Sequence, residues 1–493
     1  MSHRTDRSEP IIIQGGMGVA VSSWELASAV ARTGNLGVVS GTAIDAVVVR
    51  RLQLGDQGGH LRRAFAEFPY PAIAKRVWDR YFIPGGKTAE TPFAAAMVLP
   101  AEPTQEQFEL VVVANFSEVF LAKDGHDGLI GINFLEKIQT PTLPSLFGAM
   151  LAGVDYVLMG AGIPRAIPGI LDRLVNGESV ELPLNVVGAE SGDEFVTRFD
   201  PMQFTDGEVP WLERPKFLAI VASTTLATML ARKASGHVDG FVIEGPTAGG
   251  HNAPPRGKAK LNERGEPVYG DRDAVNLDVI AALGRPFWLA GSYGSAEQVA
   301  AAIGTGAAGV QIGTAFAFCE ESGMGSDIKA KVLDTCRNGE PNVVTDPLAS
   351  PTGFPFKVFQ LEDSLSERSV YEQRERICDL GFLRQAYRKD NGEIGWRCSA
   401  DREAAYVHKN GNLEDTVGRK CVCNGLMASI GLAQTRRNGD MELPLVTCGN
   451  DVRNIVQYLA SADAKSYSAA DVISCLLAGI SHPVAAKQAA FDQ

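Results

Sequence analysis

Short runs of apolar and β-branched residues recur along the first two-thirds of the chain, and each ends in or near glycine, serine or asparagine. Within each run the apolar residues are continuous rather than alternating, which is typical of parallel strands that are buried on both faces. The pattern therefore predicts eight parallel strands. The runs are Ile11–Gln14, Leu36–Ser40, Leu129–Phe134, Tyr156–Met159, Phe217–Ala222, Gly240–Ile243, Phe287–Ala290 and Val310–Ile312.

Amphipathic helices are predicted between several of these strands. Ser22–Thr33 begins with serine, which is a favoured helix cap, and continues with regularly spaced apolar residues; Thr224–Ala234 and Ser295–Gly304 have the same form. A strand-to-helix alternation that repeats eight times is the signature of a barrel. We therefore predict an α/β fold, a (β/α)8 TIM barrel with long insertions and a C-terminal extension.

The spacing of the strands predicts how the chain is divided. The barrel spans residues 1–335 and contains two insertions, around 44–127 and 163–214. Loops of this length are uncommon unless they have a function, so we expect them to cover the active face, with inert excursions as the alternative. Residues 336–493 form a C-terminal extension or cap, which contains most of the cysteines and ends in a helix at Ala469–Ala478.

Composition narrows the class of protein. The 493 residues exceed a minimal barrel of roughly 250 residues. There are 46 basic and 58 acidic residues, which gives a formal charge of −12 and disfavours nucleic-acid binding. Met1–Pro10 has no apolar core that would make it a secretion signal, and no apolar run is long enough to span a membrane. We expect a cytoplasmic enzyme with reduced thiols that acts on a small molecule, with a homo-oligomer as one assembly.

The candidates for chemistry follow the strands, because barrel enzymes place their active sites at the carboxyl ends of the strands. The segment Glu244–His251, after the sixth strand, ends in Ala-Gly-Gly-His. Two glycines allow the backbone to come close to a flat ligand, and they place His251 beside it. Imidazole titrates near neutrality, so we predict that His251 is an acid–base residue, with a structural histidine as the alternative.

Three further turns contain glycine. Gly291-Ser292 and Gly313-Thr314 follow the seventh and eighth strands, where barrels often bind phosphate through backbone N–H groups. Gln14–Gly18 follows the first strand and allows the backbone to lie along a ring system. Ordinary turn chemistry is the alternative at each position.

In combination, these segments resemble the nitronate monooxygenase (2-nitropropane dioxygenase) family, which is related to FMN-dependent enoyl-ACP reductases. The resemblance covers Pro10–Gly37, Lys216–Asn252 and Pro286–Glu321, with the segments QGGMG, EG…AGGH and GVQIGT. It implies a barrel that binds FMN without a covalent bond, with His251 as the catalytic histidine. The residues that it implies around the flavin are Gly16, Met17, Gly18, Asn133, Lys216, Gly249, Gly250, Gly291, Ser292, Gly313 and Thr314.

The chain also departs from the family pattern. Pro246-Thr247 stands where an acidic or small residue is usual, and Ser292-Tyr293 replaces the usual Gly-Ile. The chain is much longer than a typical member. Its segment Gly313–Lys331 is also similar to the enoyl-reductase subunits of polyunsaturated-fatty-acid synthases. These departures leave the substrate open.

The resemblance implies two activities. The first is oxidation of a nitronate or similar anionic substrate with O2, in which His251 stabilises the nitro group or removes the α-proton. The alternative is an NAD(P)H-dependent enoyl (ene) reductase, as in fatty-acid or polyketide-type synthesis, in which His251 polarises the carbonyl or protonates the α-carbon. A scaffold or sensory role is a third possibility, and the cysteines are its only support.

Four cysteines of the extension lie in basic surroundings: Cys378, Cys398, Cys421 and Cys423. Four thiolates can hold zinc tetrahedrally or bind an iron–sulfur cluster, and basic neighbours favour the thiolate form. Their spacing matches no standard motif. A metal or cluster site is therefore one hypothesis, and small buried thiols are the other.

Overall fold

A computed structural model describes residues 9–480 of the chain. Its main sheet has eight parallel strands: β1 (Ile12–Gln14), β2 (Gly37–Ser40), β3 (Ile130–Leu135), β4 (Tyr156–Gly160), β5 (Lys216–Val221), β6 (Gly240–Glu244), β7 (Phe287–Ala290) and β8 (Gly309–Ile312). Their order in the sheet is β1-β8-β7-β6-β5-β4-β3-β2. A parallel bridge from Ile13 to Leu36, immediately before β2, closes the sheet into a barrel. The predicted (β/α)8 fold is confirmed.

Side chains fill the barrel and close its amino end. Every second residue of the strands points inward, and these residues form a compact cluster that includes Leu158, Val242 and Trp288. The indole N–H of Trp288 donates to the Pro10 carbonyl at 2.8 Å, below the strands. The other face of the strands packs on the surrounding helices, which explains the continuous apolar runs. Within the described residues, the carboxyl end of the barrel is the end that remains open for a site.

The three predicted helices are present, and serine caps each of them. Ser23, Ser223 and Ser295 accept a backbone N–H at the first turn of Trp24–Ala31, Thr224–Lys233 and Ala296–Gly304. The predicted last helix is also present. The other α-helices are Ile44–Gln53, His60–Ala66, Pro71–Tyr81, Gln105–Lys123, Thr142–Leu151, Ile167–Val175, Pro201–Phe204, Leu277–Ala281, Thr314–Ala317, Ser326–Arg337, Arg368–Gln373, Glu403–His408, Val422–Ser429 and Ala469–Leu476. None of the helices within residues 9–480 combines the length and apolar composition that crossing a membrane requires.

The two long insertions differ in structure. The first, between β2 and β3, is helical, and its longest helix is Gln105–Lys123. Two carboxylates of that helix are buried and paired: Glu118 with Arg51 at 3.1 Å, and Glu109 with Arg76 at 2.6 Å. The second insertion contains a pair of antiparallel strands, Val180–Pro183 and Val196–Phe199.

The segment after the barrel has short strands of its own. Val343–Asp346 pairs with Phe356–Phe359, and Gln385–Arg388 pairs with Ile394–Arg397, both antiparallel. Gln385–Arg388 also pairs with Val186–Val187 of the second insertion. The C-terminal segment therefore contacts both the insertion and, as described below, the turn after β6.

Candidate active site

A cavity of about 520 Å³ lies at the carboxyl end of the barrel. This volume is within the range of small-molecule and cofactor sites. The turns after the strands form its floor, and residues of the C-terminal segment form part of its wall. The structure brings together here all but one of the predicted barrel-site residues: Gly16, Met17, Gly18, Asn133, Gly249, Gly250, His251, Gly291, Ser292, Gly313 and Thr314.

Lys216 is the exception, and its prediction as a flavin contact is wrong. It is the first residue of β5 and lies at the amino end of the barrel, opposite the cavity. Its Nζ is 2.8 Å from the carboxylate of Glu9 and 5.5 Å from the centre of the Tyr156 ring. The physical reason is the direction of the strand: a parallel barrel presents only the carboxyl end of each strand to the site.

The turn after β1 packs directly on β3. The Asn133 side-chain N–H donates to the Gly16 carbonyl at 3.2 Å, and a Cβ on Gly16 would be only 2.2 Å from the Cβ of Asn133. Asn133 Oδ1 and Gln311 Oε1 are buried in the cavity wall and have no hydrogen-bond donor among the described residues. Unpaired buried acceptors are costly, so these two atoms indicate that a ligand donates to them.

Gln311 was not predicted as a site residue. The sequence did contain an indication of a role for Gln311, because it is a polar residue within the apolar strand β8.

The turn after β7 exposes backbone donors. Gly291 and Ser292 both have positive φ, +103° and +60°, so the chain reverses sharply there. Within the described residues, the N–H groups of Ser292, Tyr293 and Gly294 donate to no protein acceptor. Consecutive free amides of this kind form a concave binding site for an anion such as phosphate.

The side chain of Thr314 contacts the C-terminal segment. Its Oγ1 accepts the Gly449 N–H at 2.9 Å, and its hydroxyl is hydrogen-bonded to the carboxyl group of Asp451. The hydroxyl is therefore engaged by the C-terminal segment and is not a free donor for phosphate. Asp451 also lines the cavity, where burial raises its pKa. Nothing in the local sequence around Thr314 indicates this contact.

His251 is held by the C-terminal segment. Its backbone forms an antiparallel bridge with Phe356, and the two rings are 4.8 Å apart in an edge-to-face arrangement. Its Nε2 lies 2.7 Å from the hydroxyl of Ser350. Burial, and to a smaller extent the positive charge of Lys137, lower the pKa of His251 to about 4. The imidazole is therefore uncharged at neutral pH.

Glu244, the last residue of β6, is a second titratable group in the cavity. Burial raises the pKa of Glu244 to about 8, and no charged neighbour among the described residues offsets this effect. The side chain is therefore mostly a neutral carboxylic acid at pH 7. Glu244 is the first residue of the predicted Glu244–His251 motif, but the sequence predicted no role for its side chain.

The C-terminal segment supplies an apolar wall that sequence reasoning did not predict. The side chains that line this part of the cavity are aromatic or aliphatic: Phe354, Phe356, Phe382, Leu383, Val422 and Leu426. We call this region the apolar chamber. It faces the turn that holds His251, and it favours an apolar portion in any ligand that reaches the histidine.

The four predicted cysteine ligands have no metal-binding arrangement. Cys378, Cys398 and Cys421 pack around Ala400, and Cys423 points instead into the cavity wall. Within residues 9–480, no group of three or more His, Cys, Asp or Glu side chains is placed to hold a metal ion.

The thiolate form that the basic surroundings predicted is also not favoured over the thiol at three of the four cysteines. The pKa of Cys378 is raised, mainly by a hydrogen bond with Cys398 and secondly by burial. Burial raises the pKa of Cys421 to about 11, and it also raises the pKa of Cys423. At Cys421 the positive charge of Arg374 opposes this rise, but the effect of burial is larger. The side chains of Arg397 and Arg419, which lie close to Cys398 and Cys421 in sequence, are directed at backbone carbonyls instead. For Cys378, Cys421 and Cys423 the raised pKa values favour the neutral thiol.

The fold and the cavity define the class of protein, a (β/α)8-barrel enzyme with its site at the carboxyl ends of the strands. Residues 203–340 match the family model described as nitronate monooxygenase. The matched segment contains β5 to β8, the turn that ends in His251, and both glycine turns after β7 and β8. The match confirms the resemblance found in the sequence, and the protein is an oxidoreductase.

Several solved structures are similar to the chain over most of its length. FabK from Thermotoga maritima is 15% identical and covers 98% of this chain and 96% of its own, with a TM-score of 0.47. Nitroalkane oxidase from Streptomyces ansochromogenes is 15% identical and covers 98% of both chains, with a TM-score of 0.47. The enoyl reductase domain of MlnA from Bacillus amyloliquefaciens is 11% identical and covers 94% and 91%, with a TM-score of 0.44. No curated protein matches the chain.

Proposed function

We propose that this protein is an FMN-dependent ene reductase, which uses NAD(P)H to reduce the double bond of an α,β-unsaturated carbonyl compound. The observation that carries the proposal is the neutrality of the groups after β6. With pKa values of about 4 for His251 and about 8 for Glu244, both side chains are predominantly uncharged at pH 7. Such a site offers hydrogen-bond donors to a neutral carbonyl, and the apolar chamber accepts the rest of the substrate.

The residues of the cavity fit FMN. Asn133 Oδ1 and Gln311 Oε1 are acceptors that receive no donor from residues 9–480, and the imide N–H of a flavin or its ribityl hydroxyls would supply one. The free amides of Ser292, Tyr293 and Gly294 would hold the phosphate. When bound, FMN supplies the two-electron redox chemistry that protein side chains lack.

His251 would act on the carbonyl oxygen of the substrate. As hydride adds to the β-carbon, negative charge develops on that oxygen. A neutral imidazole N–H that donates to the oxygen stabilises this charge most in the transition state. The α-carbon then takes a proton, and the carboxylic acid of Glu244 is a suitable source because its pKa lies close to the working pH. Hydride and proton together complete the reduction of the double bond.

Oxidation of a nitronate with O2 is the second candidate, and the family match over residues 203–340 favours it. The site is less suited to this reaction. An imidazole with a pKa of about 4 is a weak base for removing the α-proton of a nitroalkane. His251 itself would offer an anionic nitronate no positive charge, and the cation in the cavity lining, Arg256, is an exposed residue.

Anaerobic reduction of the purified protein separates the two candidates. We expect flavin absorbance, release of FMN on denaturation, bleaching by NADPH, and recovery of the absorbance when a 2-enoyl thioester is added. Bleaching by a nitronate but not by NADPH would replace the reductase with the monooxygenase. A colourless protein that releases no FMN would overturn both.

The pKa of Glu244 gives a prediction that needs no substrate. Because its folded pKa of about 8 lies above the ordinary value of 4.5, folding becomes less favourable as the pH rises between these two values. We expect Glu244→Gln to raise the melting temperature, by more at pH 8 than at pH 5. Thermal unfolding at both pH values measures this, with the exposed Glu297→Gln as the control. An equal gain at both pH values would contradict the buried, neutral carboxyl.

A further inference from the structure

We propose that Ser350 holds His251 in a single tautomer, with the proton on Nδ1, so that the C-terminal segment completes the active site. Ser350 is a positioning residue in this proposal, because it contacts His251 and acts through it. The proposal goes beyond the proposed function and rests on it only for the statement that His251 acts on the substrate. Neither the family match nor the sequence motifs include Ser350, which lies outside residues 203–340.

The hydrogen bonds around Ser350 favour one direction for its proton. Its Oγ accepts the Thr352 N–H at 3.2 Å and lies 2.8 Å from the Thr352 hydroxyl. The Thr352 oxygen accepts the Phe354 N–H at 3.4 Å, and among the described residues Ser350 Oγ is the one acceptor within reach of the Thr352 hydroxyl proton. We therefore assign Thr352 as the donor of this pair. Both lone pairs of Ser350 Oγ are then occupied, and the Ser350 proton is donated to Nε2 of His251, 2.7 Å away.

This arrangement determines the state of the imidazole. A neutral imidazole has one protonated nitrogen, and Nε2 is the acceptor, so the proton is on Nδ1. Nδ1 has no hydrogen-bond partner among the described residues, and His251 lines the cavity. The donor that the proposed reaction needs would therefore be Nδ1–H, the ring nitrogen that the described residues leave without a partner.

The backbone fixes Ser350 relative to His251. Hydrogen bonds from Asn252 N to the Pro355 carbonyl at 2.9 Å, and from Lys357 N to the Gly250 carbonyl at 3.0 Å, lie on either side of the histidine. Ser350 is fully buried, and its backbone carbonyl accepts a hydrogen bond from the Arg419 guanidinium at 2.8 Å. Because two parts of the chain that are distant in sequence are joined this closely, the backbone of Ser350 is held near His251, and the contacts with Thr352 hold the hydroxyl itself.

Nitrogen NMR of the histidine-labelled protein tests the tautomer directly, since protonated and unprotonated ring nitrogens have well-separated shifts. We expect Nε2 of His251 to be the unprotonated nitrogen in the unaltered protein, with the signal assigned by its loss in His251→Ala. A proton on Nε2 would overturn the proposal. This measurement needs neither substrate nor an altered Ser350, so it remains decisive if the reductase activity is not found.

Ser350→Ala tests the consequence. We expect the His251 nitrogen signals to shift toward a mixture of tautomers, and kcat to fall about 10–100-fold, equivalent to one or two hydrogen bonds, with unchanged FMN content. The control is Ser429→Ala, another buried serine of the same segment, whose hydroxyl donates to the carbonyls of Gly425 and Leu445. Unchanged His251 signals and kcat in Ser350→Ala would refute the positioning role.

Discussion

Replacement of His251 by alanine is expected to leave FMN bound and to lower turnover about 10²–10⁴-fold, the usual size of an acid–base or donor contribution. The cofactor should remain because the residues proposed to hold it, such as Asn133 and the turn after β7, do not depend on the imidazole. Steady-state kinetics with the substrate identified by the anaerobic test measure the loss, and the flavin spectrum measures retention.

The exposed His408 provides the matched control for this prediction, since its replacement removes a histidine of the C-terminal segment far from the cavity lining. His408→Ala should turn over like the unaltered protein. If His251→Ala also retained full turnover, the histidine would have no part in the reaction, and Glu244 would be the remaining titratable candidate on the turn after β6.

Replacement of Gly291 by alanine is expected to weaken FMN binding about 10–100-fold. At φ +103° a side chain strains the backbone, at a cost of about 1–3 kcal/mol, and the new Cβ would be 2.9 Å from Thr247 Oγ1. Relief of this strain would rotate the amides of Ser292 to Gly294 away from the position in which they can hold phosphate. Titration of the flavin-free protein with FMN, followed by flavin fluorescence, measures the affinity.

Two controls accompany this variant. Gly304→Ala places a methyl group in open space at the end of a helix and should not alter FMN binding. Lys216→Ala removes the residue that the sequence wrongly placed beside the flavin and should likewise have no effect, because Lys216 pairs with Glu9 at the far end of the barrel. Loss of FMN from Lys216→Ala, with tight binding by Gly291→Ala, would contradict the proposed cofactor site.

The direction of the strands explains why Asn133 lines the cavity and Lys216 does not. Both residues belong to apolar strand segments, but Asn133 lies near the carboxyl end of β3 and Lys216 is the first residue of β5. In a parallel barrel the direction of the strand decides which end faces the site. The predicted strand Phe217–Ala222 already left Lys216 before its amino end, so the sequence contained this information, and it was the resemblance that placed Lys216 beside the flavin.

The hypothesis that four cysteines hold a metal or cluster failed for a different reason. Basic residues close in sequence to Cys398 and Cys421 indicated thiolates, but sequence proximity does not establish where a long side chain points. In the fold, Arg397 and Arg419 donate to backbone carbonyls, and burial determines the protonation of Cys421, with a pKa of about 11. Electrostatic effects of this kind depend on three-dimensional distances and on exclusion of water.

The sequence by itself determined the barrel and most of its candidate site. Continuous apolar runs that end in glycine specify buried parallel strands, and the carboxyl ends of such strands necessarily meet on one face. His251 and the glycine turns after β1, β7 and β8 could therefore be assigned to one cavity from local patterns alone.

Only the tertiary structure decided what surrounds His251. Ser350, Asp451 and the apolar chamber come from a segment with no local motif, and their positions depend on backbone pairing such as that of His251 with Phe356. The neutral states of His251 and Glu244 also come from the fold, since burial shifts both pKa values. Contacts between distant segments and exclusion of water are properties of the packed chain, and no pattern along the sequence encodes them directly.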